Sequence, residues 1–166
     1  MRVLAMAVIF FISLSLQSTL FSDLSYRGVK PDLLAIIVIF YSLFHGTLSG
    51  AGLGFIYGLG EDLILGRFVG LNALAKGITG YVIGLGEKRV FKENFLVPLL
   101  VCFSGTVLCQ VVYLLLLSLV SGENVWLRFK GVILPQALYN SLLGLLIYGK
   151  FAKSATRGIL KRSRHY

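Results

Sequence analysis

The chain is 166 residues long, 57% hydrophobic and only 14% charged, with a mean hydropathy of +0.85. Soluble domains average about 25% charged and 45–50% apolar residues, so this composition excludes an ordinary soluble protein and describes an all-α polytopic membrane protein. The net charge of +9 does not indicate a nucleic-acid binder, because Lys and Arg stand at the ends of apolar segments and in the C-terminal tail, where membrane topology puts them.

Six apolar segments follow one another, to be weighed against the roughly 20 residues that cross a bilayer as a helix. The first, 3–21, follows Arg2 and starts like a signal peptide, but its apolar character continues to Phe21 and reads as a retained span. The second, 32–44, is short for a span; Pro31 suits its first helical position and Asp32 the positive end of its dipole. The third, 49–65, and the fourth, 71–85, are rich in glycine. The fifth, 95–120, is the most continuous apolar run, and the sixth, 132–148, is entered through Pro135. Segments two and three are joined by HGTLSGAG, readable as a tight turn or as one continuous helix, so five spans stand beside six as an alternative. The expectation is a single transmembrane domain over 1–149. A basic cytoplasmic tail, 150–166, follows it and could lie along anionic membrane lipids.

With six spans, Arg2, Lys88, Arg89, Lys92 and six basic residues of the tail share one side, ten in all. The other side holds five: Arg27, Lys30, Arg67, Arg128 and Lys130. The positive-inside rule then places both termini in the cytoplasm. Five spans would keep the C-terminus there and move the N-terminus out.

Glycine falls on every fourth position at Gly46, Gly50, Gly54 and Gly58, close to one helical turn, and so forms a bare strip along one side of a helix. In water each interior glycine costs a helix about 1 kcal/mol against alanine. In a membrane the same strip lets a second helix approach closely. That second helix belongs either to the same bundle or to another protein.

The strip runs into Glu61 and Asp62, which with Asp32 and Lys76 are the charges lying in or beside apolar segments. Such charges are costly and usually face a protein interior or water. With six spans all four lie toward the non-cytoplasmic face. Lys76 either pairs with Asp62 or Glu61 across neighbouring helices, or snorkels to the headgroups while the acids sit in water. Asn72 reads as a cap of the fourth helix, Gln110 as an interhelical hydrogen bond, and His45 as a helix-end residue. Cys102 and Cys109 lie about 10 Å apart along one helix face, too far to bridge, and read as small buried hydrophobes. There is no nucleophile–base–acid set, no metal-ligand spacing and no phosphate-cradling loop. The adjacent Glu61 and Asp62 point to different helix faces and make a poor acid–base pair. The sequence therefore gives no catalytic residue, no metal site and no cofactor.

The stretches VKPDLLAIIVIF and GFIYGLGEDLILGRFVGLNALAKGITGY resemble the rod shape-determining protein MreD family of bacteria. The likeness lies in Pro31-Asp32 opening an apolar span, in Gly54-Phe55, Gly58-Leu59 and Asp62-Leu63, and in Gly70-Leu71-Asn72-Ala73-Leu74. Its specific part is 29–81, while length and a basic C-terminal end extend it over most of the chain. The resemblance implies a non-enzymatic component of the cell-elongation machinery in the inner membrane. It would associate with MreC, a single-span protein, and help connect cytoplasmic MreB filaments to peptidoglycan synthesis by RodA and its transpeptidase partner. It also implies a six-helix fold like that of the S components of energy-coupling-factor vitamin transporters. From that comes an alternative function, a small-molecule-binding transporter subunit with a pocket formed by Asp32, Asp62, Asn72 and Lys76. The family's motif positions fall on Pro31, Asp32, Gly54, Gly58, Asp62, Gly66 and Gly70; Glu61 and Lys76 are added from membrane cost alone. Two groups of candidate residues result. Gly46, Gly50, Gly54, Gly58, Gly66 and Gly70 would pack helices or bind a partner, and Pro31, Asp32, Glu61, Asp62, Asn72 and Lys76 would form a polar network at the membrane edge.

Overall fold

The computed structural model describes residues 2–19, 29–65, 68–86, 96–122 and 129–157. These residues form six α-helices: α1 (Arg2–Ser18), α2 (Leu33–His45), α3 (Thr47–Leu65), α4 (Leu71–Gly84), α5 (Leu96–Ser121) and α6 (Leu134–Arg157). A π-helical turn, Phe129–Ile133, leads into α6. Pro135 is the second residue of α6, directly after the π-helical turn.

The all-α architecture is built around α2. Leu34, Ile36, Val38, Ile39 and Phe40 are buried on every side of it, and it touches each of the other five helices. A helix apolar all round is stable only where it is surrounded, which is why the most uniformly hydrophobic segment ends up at the centre. Its start is set by Asp32, the N-cap, whose carboxylate accepts the Ala35 N–H at 2.8 Å. Pro31 therefore stands one residue outside the cap rather than at the first helical position, because the carboxylate next to it takes the capping role.

The end of α2 is set by Gly46. Its φ of 87° lies in the left-handed region, which a residue with a Cβ enters only with strain. Its N–H donates to Ser42 O at 2.8 Å and its carbonyl accepts from Gly50 N–H at 2.9 Å. One non-helical residue thus closes α2 and opens α3. The HGTLSGAG segment is therefore broken by a tight turn at Gly46 and is not a continuous helix, and Gly46 belongs to that turn rather than to the glycine strip.

Among the described residues two helices are long and apolar enough to cross a membrane, Leu96–Ser121 with a hydropathy of 2.3 and Gly131–Ala155 with 1.4. The 13 residues of α2 reach only about 20 Å and the 14 of α4 about 21 Å, short of a hydrocarbon core of roughly 30 Å. At its far end α6 continues through Lys150 and Lys153 to Arg157, so the start of the basic tail is helical. Phe151 explains this: it packs against Phe40 and Phe44 of α2, with ring centroids 6.0 and 6.1 Å apart. Gly66, Arg27, Arg67, Lys88, Arg89, Lys92, Arg128 and the tail beyond Arg157 lie outside the described residues.

Candidate functional site

Helices α3 and α4 pack along their glycines. A Cβ built on Gly50 would strike the Gly80 carbonyl and the Ser42 side chain, one on Gly54 the backbone of Lys76, and one on Gly58 the backbone of Asn72. Each step of four forward on α3 matches a step of four back on α4, so the two helices run antiparallel in backbone contact. At the other end Gly84 lies against Gly46 and Thr47, so the α2–α3 turn caps the seam. Gly52, by contrast, faces open space. The strip is consumed inside the bundle.

The seam ends in charge. Lys76, one turn into α4 from Asn72, is 1% exposed. Its Nζ lies 2.8 Å from Asp32 Oδ2 and 2.6 Å from Glu61 Oε2, with Asn72 Oδ1 at 3.5 Å. Close approach of α3 and α4 makes this possible, since a bulkier seam would hold Glu61 out of reach. A buried ammonium is tolerable only when paired, and here one cation serves two carboxylates.

Asp62 faces the other way and does not touch Lys76. Its carboxylate accepts the backbone N–H groups of Gly70, Asn72 and Ala73 at 2.9, 3.0 and 3.2 Å and the Asn72 side-chain amide at 2.7 Å. These are the orphan donors of the α4 N-terminus, where the helix dipole also favours an anion. Asn72 is therefore not the cap of α4. Gly70 occupies the cap position with a φ of 105°, and the capping oxygen comes from the preceding helix.

Three residues outside the sequence-level candidates complete the network. Gln17 of α1 donates its amide to Asp32 Oδ1 at 3.0 Å. Asn140 of α6, fully buried, accepts the Asp32 N–H at 2.8 Å and donates to Thr106 of α5 at 3.1 Å. A chain of polar contacts thus joins all six helices, from Gln17 through Asp32, Lys76 and Glu61 on one branch and Asn140 and Thr106 on the other. The signal for Asn140 was its position inside an apolar segment, where an amide needs a partner. Gln17 had the same signal, weakened by the serines around it.

Pro31 is buried beside Asp32. His45 stacks on Tyr41, ring centroids 4.0 Å apart. Cys102 and Cys109 are buried free thiols, and Cys102 donates to Asn140 O at 3.1 Å. Gln110, half-buried on α5, makes no hydrogen bond among the described residues. Among the described residues no three His, Cys, Asp or Glu side chains gather as metal ligands would.

The family model described as rod shape-determining protein MreD matches residues 1–153. The chain belongs to the MreD family. No curated protein and no solved structure matches it. MreD proteins are membrane proteins that determine rod shape, and the length and apolarity of α5 and α6 fit insertion. In this MreD chain, then, the motif positions Asp32, Gly54, Gly58, Asp62 and Gly70 stand at caps, at the α3–α4 seam, and at the ends of helices. They are the residues that fix how the helices meet.

Proposed function

We propose that this MreD chain is a non-enzymatic scaffold of the rod-elongation complex, a six-span bundle of the inner membrane with both termini in the cytoplasm. In this reading it docks the transmembrane helix of an MreC-like single-span partner. Through that partner it helps couple MreB filaments to peptidoglycan synthesis by RodA and its transpeptidase. The family match over residues 1–153 carries the reading. The geometry supports it, because the polar side chains are spent on one another. Asp32, Lys76, Glu61, Asp62 and Asn72 bond among themselves and to helix ends, which makes a rigid platform. The same fact weighs against an S-component-like vitamin binder, whose pocket would need those groups directed at a ligand.

Because the glycine seam is occupied by α4, a partner helix must meet an outward face. Among the candidates are the exposed leucines Leu63 and Leu74 on the α3–α4 side and Leu142 and Leu146 on α6. The test is co-expression of the tagged chain with the MreC-like protein, single cysteines at those four positions, and crosslinking to cysteines in the partner helix. Co-purification with crosslinks confined to one side is the expected outcome. Failure of the folded chain to retain the partner, with no crosslink at any position, ends the reading.

A further inference from the structure

The Oε1 of Gln17 is buried and receives no hydrogen bond, on a residue only 9% exposed. A buried acceptor without a donor is costly, so this oxygen calls for a partner. Its own amide nitrogen donates to Asp32 Oδ1 at 3.0 Å. Oε1 is bonded to the same carbon, about 2 Å from that nitrogen, and so sits at the edge of the carboxylate network. Turning the amide over would set two acceptors face to face, so Asp32 fixes its orientation.

Charge and valence at the network point the same way. Lys76 brings one positive charge to Asp32 and Glu61, which leaves one negative charge over around a lysine 1% exposed. An ammonium has three N–H donors, and Asp32 Oδ2, Glu61 Oε2 and Asn72 Oδ1 face them. Asp32 takes two further donors, Gln17 Nε2 and the Ala35 N–H, both on Oδ1. Each carboxylate offers about four lone-pair sites, so among the described residues the unspent valence is all acceptor. Asp62 stands apart, with its oxygens on the α4 N-terminus.

A guest for such a site must bring positive charge. A water molecule would satisfy the amide oxygen and leave the charge as it is. A divalent cation would overshoot by one charge, and calcium or magnesium asks for about six oxygens or more. A monovalent cation cancels the surplus. Two carboxylates and an amide, with no His or Cys, suit a hard alkali ion rather than a transition metal. The burial of Gln17, Asp32 and Lys76 admits only a small ion, and Glu61, its side chain 17% exposed, leaves a way in.

We propose that Gln17 Oε1 and the carboxylates of Asp32 and Glu61 bind one monovalent alkali cation of about the size of sodium. The ion ties α1 to α2 and α3 at the network. The site does not depend on the partner-docking reading.

The experiment follows thermal unfolding of the full chain in an uncharged detergent by circular dichroism. Sodium chloride replaces choline chloride at constant ionic strength, at neutral and at mildly acidic pH. The unfolding temperature of wild type should rise with sodium and saturate, as it must for an ion held by the folded chain alone. Glu61→Gln removes the surplus charge and Gln17→Leu the unpaired oxygen, and both keep the Lys76–Asp32 pair. Each should raise the sodium concentration at half-effect about tenfold or more. Lys150→Gln, outside the network, should leave it unchanged. Equal unfolding temperatures of wild type in sodium and in choline overturn the proposal, whether or not the variants fold. So does a stabilisation by acid that is indifferent to sodium, which would mean that a proton meets the surplus. A sodium effect that survives both network variants overturns it as well.

Discussion

Lys76 is the residue on which two of the described carboxylates converge. It carries one positive charge between Asp32 and Glu61, both within 2.8 Å, at a depth where almost none of it meets solvent. Removing one partner of a buried ion pair leaves the other charge uncompensated, at roughly 3–5 kcal/mol. Lys76→Met is thus expected to lower the unfolding temperature of the purified protein sharply. Adding Glu61→Gln to Lys76→Met should restore part of the loss, because one of the two stranded charges is gone. Thermal unfolding in detergent, followed by circular dichroism, reads both. A Lys76→Met protein as stable as wild type would mean that the pair is not formed. The sequence pointed to these residues through the cost of intramembrane charge, yet it could not pair them. Asp62 and Glu61 are neighbours in the chain, and only the rotation of α3 decides that Glu61 reaches Lys76 while Asp62 reaches the α4 N-terminus. Asp32 is 44 residues from Lys76 in sequence, and nothing local announces that contact.

At the scale of elements, glycine spacing was the most legible feature, and its register decides which substitutions matter. A methyl group at Gly54 would run into the Lys76 backbone, while one at Gly52 would meet nothing within 4 Å. Gly54→Ala should therefore force α3 and α4 apart and destabilise the hairpin by about 1–3 kcal/mol, in the range of overpacked cores. Gly52→Ala, on the same helix and with the same gain in helix propensity, should be neutral or slightly stabilising. The comparison isolates packing from propensity, and thermal unfolding of the two variants side by side measures it. If both behave alike, the seam is not a close backbone contact. The period of four follows the seam from Gly50 to Gly58. It could not see that Gly46 leaves the helix, since a positive φ has no signature beyond the glycine itself. Helix ends were similarly half-visible: Asp32 was recognisable as an anion at a helix start, whereas the cap of α4 came from another helix and could not be read from the segment it caps.

The whole molecule has two unlike ends. One carries the buried network of Asp32, Glu61, Asp62 and Lys76, and the other gathers the start of α1, the α2–α3 turn and the basic end of α6. Among the described residues the acids all lie at the first end, while exposed Lys150 and Lys153 mark the second. On the proposed six-span topology the sequence counts ten Lys and Arg on one side against five on the other, and the positive-inside rule gives the orientation the proposal takes. Two exposed lysines report it directly: Lys30, just before α2 at the network end, and Lys153 near the end of α6. The native thiols interfere little, because Cys102 and Cys109 are buried. In spheroplasts, Lys30→Cys should react with a membrane-impermeant maleimide without permeabilisation, and Lys153→Cys only after the membrane is opened. The reverse pattern would turn the bundle over, and labelling of both cysteines from outside would require an even number of crossings between them instead of five. Since α2 and α4 are each shorter than the bilayer core, labelling of Lys30→Cys also tests whether their ends reach the surface with the help of the loops that follow. Slow labelling there, rising with reagent size reduced, would place the charged network below the headgroups, in the layer where one lysine must hold two carboxylates.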